Sequence, residues 1–208
     1  MLGISLLLVG ILLVSNGVLF LSKAKSTVKL ENGEEKIEIV PLVVKSPKSI
    51  AFFNIVVAGF LIIGNMIALG IVISRANPDG GNFVAFQNVA AGLIFGVTYV
   101  FIAGNLLLKL DGKPFGIFCI FASIIALVIA FDSFIYVARW GLFDFGIHAL
   151  ILGILWMTWF ALWFAGVLQF IFKIKKMEKI FPWISITVGI IGAFVPALAL
   201  LMGWWPLL

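Results

Sequence analysis

The first charged side chain of this sequence is Lys23. Everything before it, MLGISLLLVGILLVSNGVLFLS, is apolar, small or uncharged polar. About twenty such residues in a helix span the hydrocarbon of one bilayer, because each adds about 1.5 Å of rise. Five more runs of this kind follow. The spacing predicts crossings over residues 2–22, 50–73, 85–108, 114–138, 146–172 and 182–205. Clusters of charge, Pro and Gly separate them, such as Asn77-Pro78-Asp79-Gly80-Gly81. Pro114 stands where a first-turn proline is favoured, since its missing N–H has no partner there anyway. The chain is 63% hydrophobic and 11% charged. A soluble domain carries roughly twice that charge, so the sequence reads as one integral membrane domain, 1–208. The first segment has no basic n-region and no small-x-small cleavage site, so it is expected to be retained.

Charge placement predicts orientation. Loops one, three and five hold every lysine, and loops two and four hold the two arginines, Arg75 and Arg139. By the positive-inside rule the lysine-bearing loops face the cytoplasm and both termini lie outside the inner membrane. The net charge of +5 then has a membrane explanation and does not point to nucleic acid. Cys119 is the single cysteine and cannot pair within the chain.

Loop one, 23–49, is the only long one. In STVKLENGEEKIEIV, apolar and polar residues alternate on both sides of Asn32-Gly33. That pattern predicts a small cytoplasmic β-hairpin within 27–40. It could dock a cytosolic enzyme, or serve only as a tether. A threefold echo also runs along the chain. Each even crossing opens after a lysine with aromatic residues, namely Phe52-Phe53, Phe115, and Phe181 with Trp183. Three sequential helical hairpins around one axis would produce it. Ordinary interface chemistry would too, since aromatic residues gather there.

Chemistry is limited by what the chain lacks. Its one histidine, His148, and the carboxylates sit in loops or near predicted helix ends. Asp144 and His148 at i, i+4 form either an outer-mouth pair or a solvated helix start. No nucleophile–base set, metal cluster or phosphate loop is present in the sequence, so neither an enzyme nor a cofactor is expected. Crossings one, three and five carry no charge at mid-depth. Ion-coupled carriers usually place ionisable groups there. A passage without fixed charge suits a small neutral polar solute.

The candidate lining follows from helical spacing. Leu2, Leu6, Val9, Leu13 and Asn16 recur at intervals of 4, 3, 4 and 3 and share a face. Asn16 must find a hydrogen-bond partner or a wet cavity. In crossing three, Phe95 and Tyr99 share a face beside Thr98, and Gly92 and Gly96 form a small-xxx-small surface for close helix approach. Crossing five carries Leu155-Trp156, then Trp159 and Trp163. Packing or lipid contact would equally account for any one of these aromatics.

The segments MLGISLLLVGILLVSNG, SPKSIAFFNIVVAGFLIIGN, AAGLIFGVTY, GILWMTWF and FPWISITVGIIGAFVPA occur in this order. Together they resemble the UreI/AmiS family of urea and short-chain amide channels. The resemblance implies an all-α integral membrane protein with six transmembrane helices as three helical hairpins around a protomer pore. It implies a homo-hexamer with lipids filling the ring centre, feeding a cytosolic urease or amidase. By position it places Leu2, Leu6, Val9, Leu13, Asn16, Phe95, Tyr99, Leu155 and Trp156 in the lining, with Thr98 and the Tyr99 hydroxyl among the few polar groups. Phe145, Ala149 and Leu152 stand where the acid-gated member has tryptophans, and Val188 where it has a glutamate. The outer constriction is therefore expected to be wider, admitting acetamide or propionamide. The outer loops also lack the acid-gated member's histidines, so no acid gating is expected.

Overall fold

The computed structural model describes residues 2–24, 28–29, 35–36, 46–74, 83–141 and 146–204. The long helices are α1 (Leu2–Ala24), α2 (Pro47–Ser74), α3 (Phe83–Leu108), α4 (Lys113–Trp140) and α5 (Gly146–Phe170). The last crossing is composite: α6 (Met177–Thr187), a π-helical stretch Val188–Phe194, and α7 (Val195–Leu201). Six described segments are long and apolar enough to cross a membrane, so this is a multi-pass membrane protein. The expected boundaries hold to within a few residues, because charge and helix-capping chemistry end the helices. Pro114 sits in the first turn of α4, and Gly141 closes it at φ +76°, with its N–H donating to the Val137 carbonyl. Lys109 (φ 53°) and Lys173 (φ 51°) turn the chain just after α3 and α5. There the left-handed conformation ends a helix, and a cation complements the helix dipole.

The packing differs from three sequential hairpins. The closest neighbours are α2 with α3, α4 with α5, and α1 with the last crossing. Two of these pairs are sequence-adjacent, and the third joins the two ends of the chain. The aromatic echo that suggested a pairing of one with two, three with four and five with six therefore does not mark a packing unit. Small residues set the real contacts. A Cβ on Gly10 would lie 2.8 Å from both the Gly189 carbonyl oxygen and the Phe194 nitrogen. Backbone thus meets backbone where α1 crosses the π-helical stretch. Gly96 likewise admits Ile62 of α2, as its small-xxx-small spacing implies. Gly10→Val places two methyl groups against backbone that cannot rotate away. It is expected to cost at least the roughly 1–3 kcal/mol of an overpacked core, and monodisperse protein should be lost on size-exclusion chromatography in detergent.

In loop one, β1 (Val28–Lys29) and β2 (Glu35–Lys36) pair antiparallel, Val28 opposite Lys36 and Lys29 opposite Glu35. Two residues a side make a short ladder and not a sheet, so the fold is all-helical in substance. The register encloses residues 30–34, whereas a two-residue Asn-Gly turn would enclose only 32–33. Residues 30–34 themselves, including Asn32-Gly33, lie outside the described residues.

The outward faces are apolar. Phe52, Phe60 and Ile63 on α2, and Phe121, Val128 and Phe131 on α4, are all more than half exposed. In water such a surface would be untenable. Against lipid tails it costs nothing, and helix association rests on packing and polar links instead. Gln169 near the end of α5 carries a buried Oε1 with no hydrogen-bond partner.

Candidate functional site

A cavity of about 300 Å³ opens between α1, α2, α3, α5 and the π-helical stretch. The helix directions place it. It takes Ser5, Leu6 and Val9 from the start of α1, and Asn65, Ala68 and Val72 from the end of α2. It takes Asn88 to Phe95 from the start of α3, Leu152 to Trp159 from α5, and Gly192 from the last crossing. All these lie in the membrane half away from the lysine-bearing loops. The wall is mainly aliphatic and aromatic, with no charged residue. A few amide and hydroxyl groups, from Ser5, Asn65 and Asn88, supply its polarity.

An aromatic cluster closes the deep end. Phe95 meets Trp159 edge-on, with ring centroids 4.4 Å apart at 64°. It stacks on Trp163 at 5.3 Å and 27°, and Trp159 and Trp163 are 5.8 Å apart. Such contacts are worth about 1 kcal/mol each beyond burial, which favours a defined ring arrangement. Beneath them Tyr99 is buried and donates its hydroxyl to the Val9 carbonyl at 3.3 Å. That bond ties the cluster's helix to α1.

Six of the residues expected in the lining meet around this cavity: Leu6, Val9, Phe95, Leu152, Leu155 and Trp156. They come from three helices, α1, α3 and α5. Others sit elsewhere. Leu13 is buried in the core below, where its carbonyl accepts the Ser185 hydroxyl at 3.0 Å. Ala149 is half-buried one turn above Leu152 and outside the cavity wall. Phe145 lies outside the described residues, as does the side chain of Leu2.

The polar step expected at Asn16 needs correction. Asn16 and Asn54 are both buried and exchange hydrogen bonds, Asn16 Nδ2 donating to Asn54 Oδ1 at 3.1 Å and Asn54 Nδ2 to Asn16 Oδ1 at 2.8 Å. Asn54 Nδ2 also donates to the Ile50 carbonyl at 2.8 Å. These bonds join α1 to α2, so the partner that the Asn16 amide needs in hydrocarbon is supplied by the neighbouring helix. The Thr98 hydroxyl donates to the Ile94 carbonyl of its own helix at 2.8 Å, the usual fate of threonine inside a helix. The Tyr99 hydroxyl is engaged as described. None of these three lines the cavity.

Asn65, Asn88, Ser5 and Trp159 do line it, and spacing arguments from α1, α3 and α5 missed them. The signal was present. Asn54 and Asn65 lie eleven residues apart, about three turns, on one face of α2. Each had to find a polar partner or a wet surface. Asn54 found Asn16. Asn65 packs into the space left by Gly92 and donates to the Leu61 carbonyl at 2.7 Å. Among the described residues no group of three or more His, Cys, Asp or Glu could hold a metal.

The arrangement has close counterparts. A channel from Helicobacter pylori known as the acid-activated urea channel is 31% identical over 99% of this chain and 100% of its own length. The putative amidate substrates transporter protein of Mycolicibacterium smegmatis is 24% identical over 98% of this chain and 78% of its own. The cryo-EM structure of the Helicobacter pylori urea channel in its closed state superposes with a TM-score of 0.74 at 28% identity, covering 99% of this chain and 100% of that one. The crystal structure of the urea channel from the same organism gives 0.73. The family model for AmiS/UreI family transporters matches residues 39–204. With that match joined to a shared six-crossing fold, this chain belongs to the AmiS/UreI family of membrane transporters.

Proposed function

We propose that this protein, as a single membrane domain over 1–208, is a passive channel for urea and short-chain aliphatic amides. The observation that carries the reading is the cavity wall: apolar and aromatic, uncharged, with scattered amide groups, in a volume of about 300 Å³. Such a wall cannot replace the hydration an ion would have to shed, but it accepts a planar neutral amide, whose faces lie against Phe95, Trp156 and Trp159. The relatives support the substrate class, one being a urea channel and another a putative transporter of amidate substrates. The lysine distribution supports an inner-membrane protein with both termini outside, so that the cavity faces outward. Six protomers in a ring with lipid at its centre, delivering solute to a cytosolic urease or amidase, complete the reading. The loop-one ladder at 28–29 and 35–36 is a docking point for that enzyme.

The channel conducts without acid activation. Loops 75–82 and 141–145 contain no histidine, and histidine is the side chain whose ordinary pKa falls between pH 5 and 8. In proteoliposomes followed by stopped-flow light scattering, urea and acetamide are expected to enter far faster than into empty vesicles. Their rates should agree within about twofold between pH 7 and pH 5, because no cluster of imidazoles changes charge over that interval. A several-fold rise at pH 5 would show acid gating. Conduction of methylammonium with neither urea nor acetamide would replace the amide reading with an ammonia channel.

A further inference from the structure

The last crossing is the only described element that departs from α geometry in mid-membrane. From Val188 to Phe194 it is π-helical, and at its end the Val195 N–H donates to the Ile190 carbonyl, five residues back. The next residue is Pro196, which has no N–H. The carbonyl of Ile191 could be reached by Val195, already bonded to Ile190, or by Pro196, which cannot donate. The carbonyl of Gly192 could be reached by Pro196 or Ala197, and that of Ala193 by Ala197 or Leu198. Phe194 is the N-cap of α7, so the Leu198 N–H closes the first turn of α7 onto Phe194. Three successive carbonyls are left with one backbone donor, Ala197. Nearby hydroxyls do not make up the shortage: Thr158 donates to Leu155 and Ser185 to Leu13.

Two orphaned carbonyls at this depth would each cost several kcal/mol against hydrocarbon. They are tolerable where backbone borders a wet cavity. Gly192 is the point at which this crossing enters the cavity wall, and it brings no side chain to cover its own backbone. A Cβ there would stand 2.8 Å from the Thr158 hydroxyl oxygen on α5, so glycine is what lets α5 pack this close to the π-helical backbone.

We propose that the π-helical stretch and Pro196 together form a hydrogen-bond acceptor site, the backbone carbonyls left without a donor around Gly192, which binds the N–H groups of the permeating amide. The inference rests on the channel reading above and sharpens it. The cavity recognises its solute as an N–H donor through backbone, opposite the aromatic wall. A solute without N–H gains nothing there.

Pro196→Ala tests this, because the new N–H occupies one of the carbonyls. Pro196→Val supplies the same N–H with more side-chain bulk. In proteoliposomes both variants are expected to lower urea permeability about fivefold and acetamide less, with N,N-dimethylformamide unchanged. Size-exclusion profiles should match the wild type, since replacing a helix-interior proline relieves the helix. Four results would overturn the proposal: unchanged urea flux in both variants, an equal fall for every solute, loss with alanine but not with valine, or misfolding of both. Absence of amide flux through the wild type would instead remove the channel reading, and this site with it.

Discussion

A Trp156→Ala protein is expected to pass acetamide and propionamide several-fold faster relative to urea than the wild type does. Trp156 is 9% exposed and part of the cavity wall, beside Leu152, Leu155 and Trp159. Its ring is one of the flat surfaces against which a planar solute can lie. Removing it widens the passage toward the larger amides. It also deletes a face contact worth about 1 kcal/mol, or roughly a fivefold factor in rate for the solute that fits best. Urea, the smaller solute, loses that contact and gains nothing from the added width. The fold is expected to survive. Truncating a fully enclosed tryptophan costs about 3–5 kcal/mol, but Trp156 borders open volume on one side and so gives up fewer contacts. Stopped-flow permeability of the three solutes, wild type against variant, is the measurement. Equal urea and acetamide permeabilities in the two proteins would remove Trp156 from the pathway.

The second large effect concerns stability. Asn16→Leu is expected to destabilise the protein by about 2 kcal/mol, the cost of leaving the Asn54 amide buried without its cross-helix partner. Asn54→Leu should do the same from the other side. The double variant Asn16→Leu/Asn54→Leu should recover much of this loss, because two leucines leave no polar group unsatisfied. Hydrogen bonds between membrane helices average well below the value expected from hydrocarbon transfer, near 0.6 kcal/mol. The orphaned partner therefore dominates the single variants, and the double variant should lose far less stability than the sum of the two singles. Thermal melts in detergent give the comparison. Single variants as stable as the wild type would mean that water already serves these amides. If Asn16→Leu also left urea flux intact, that would confirm that its amide binds Asn54 and not the solute.

Burial explains which residues could be foreseen. Spacing alone puts Leu6 and Val9, or Leu155 and Trp156, on adjoining parts of a helix surface, and these residues border the cavity. Polar residues were not legible in this way, because their roles depend on what the facing helix offers. The sequence left Asn16 either a hydrogen-bond partner or a wet cavity, and it pairs with Asn54. Asn65 lay unremarked in an apolar run and lines the cavity beside Gly92. The π-helical stretch left no signature except Pro196 and the glycines Gly189 and Gly192, any of which an ordinary helix could contain.

By itself the sequence determined the six crossings and their approximate ends. These follow from the transfer cost of charge and from helix capping, which act one segment at a time. It also determined that no fixed charge lies in the middle of crossings one, three and five. Only the tertiary structure decided that α1 closes against the last crossing, that Asn16 pairs with Asn54, and that Gly192 borders the cavity. Lipid is as apolar as the helices, so hydrophobicity cannot choose among neighbours. Close contacts at glycine and the need to satisfy each buried polar group make that choice, and both require two helices to be seen at once.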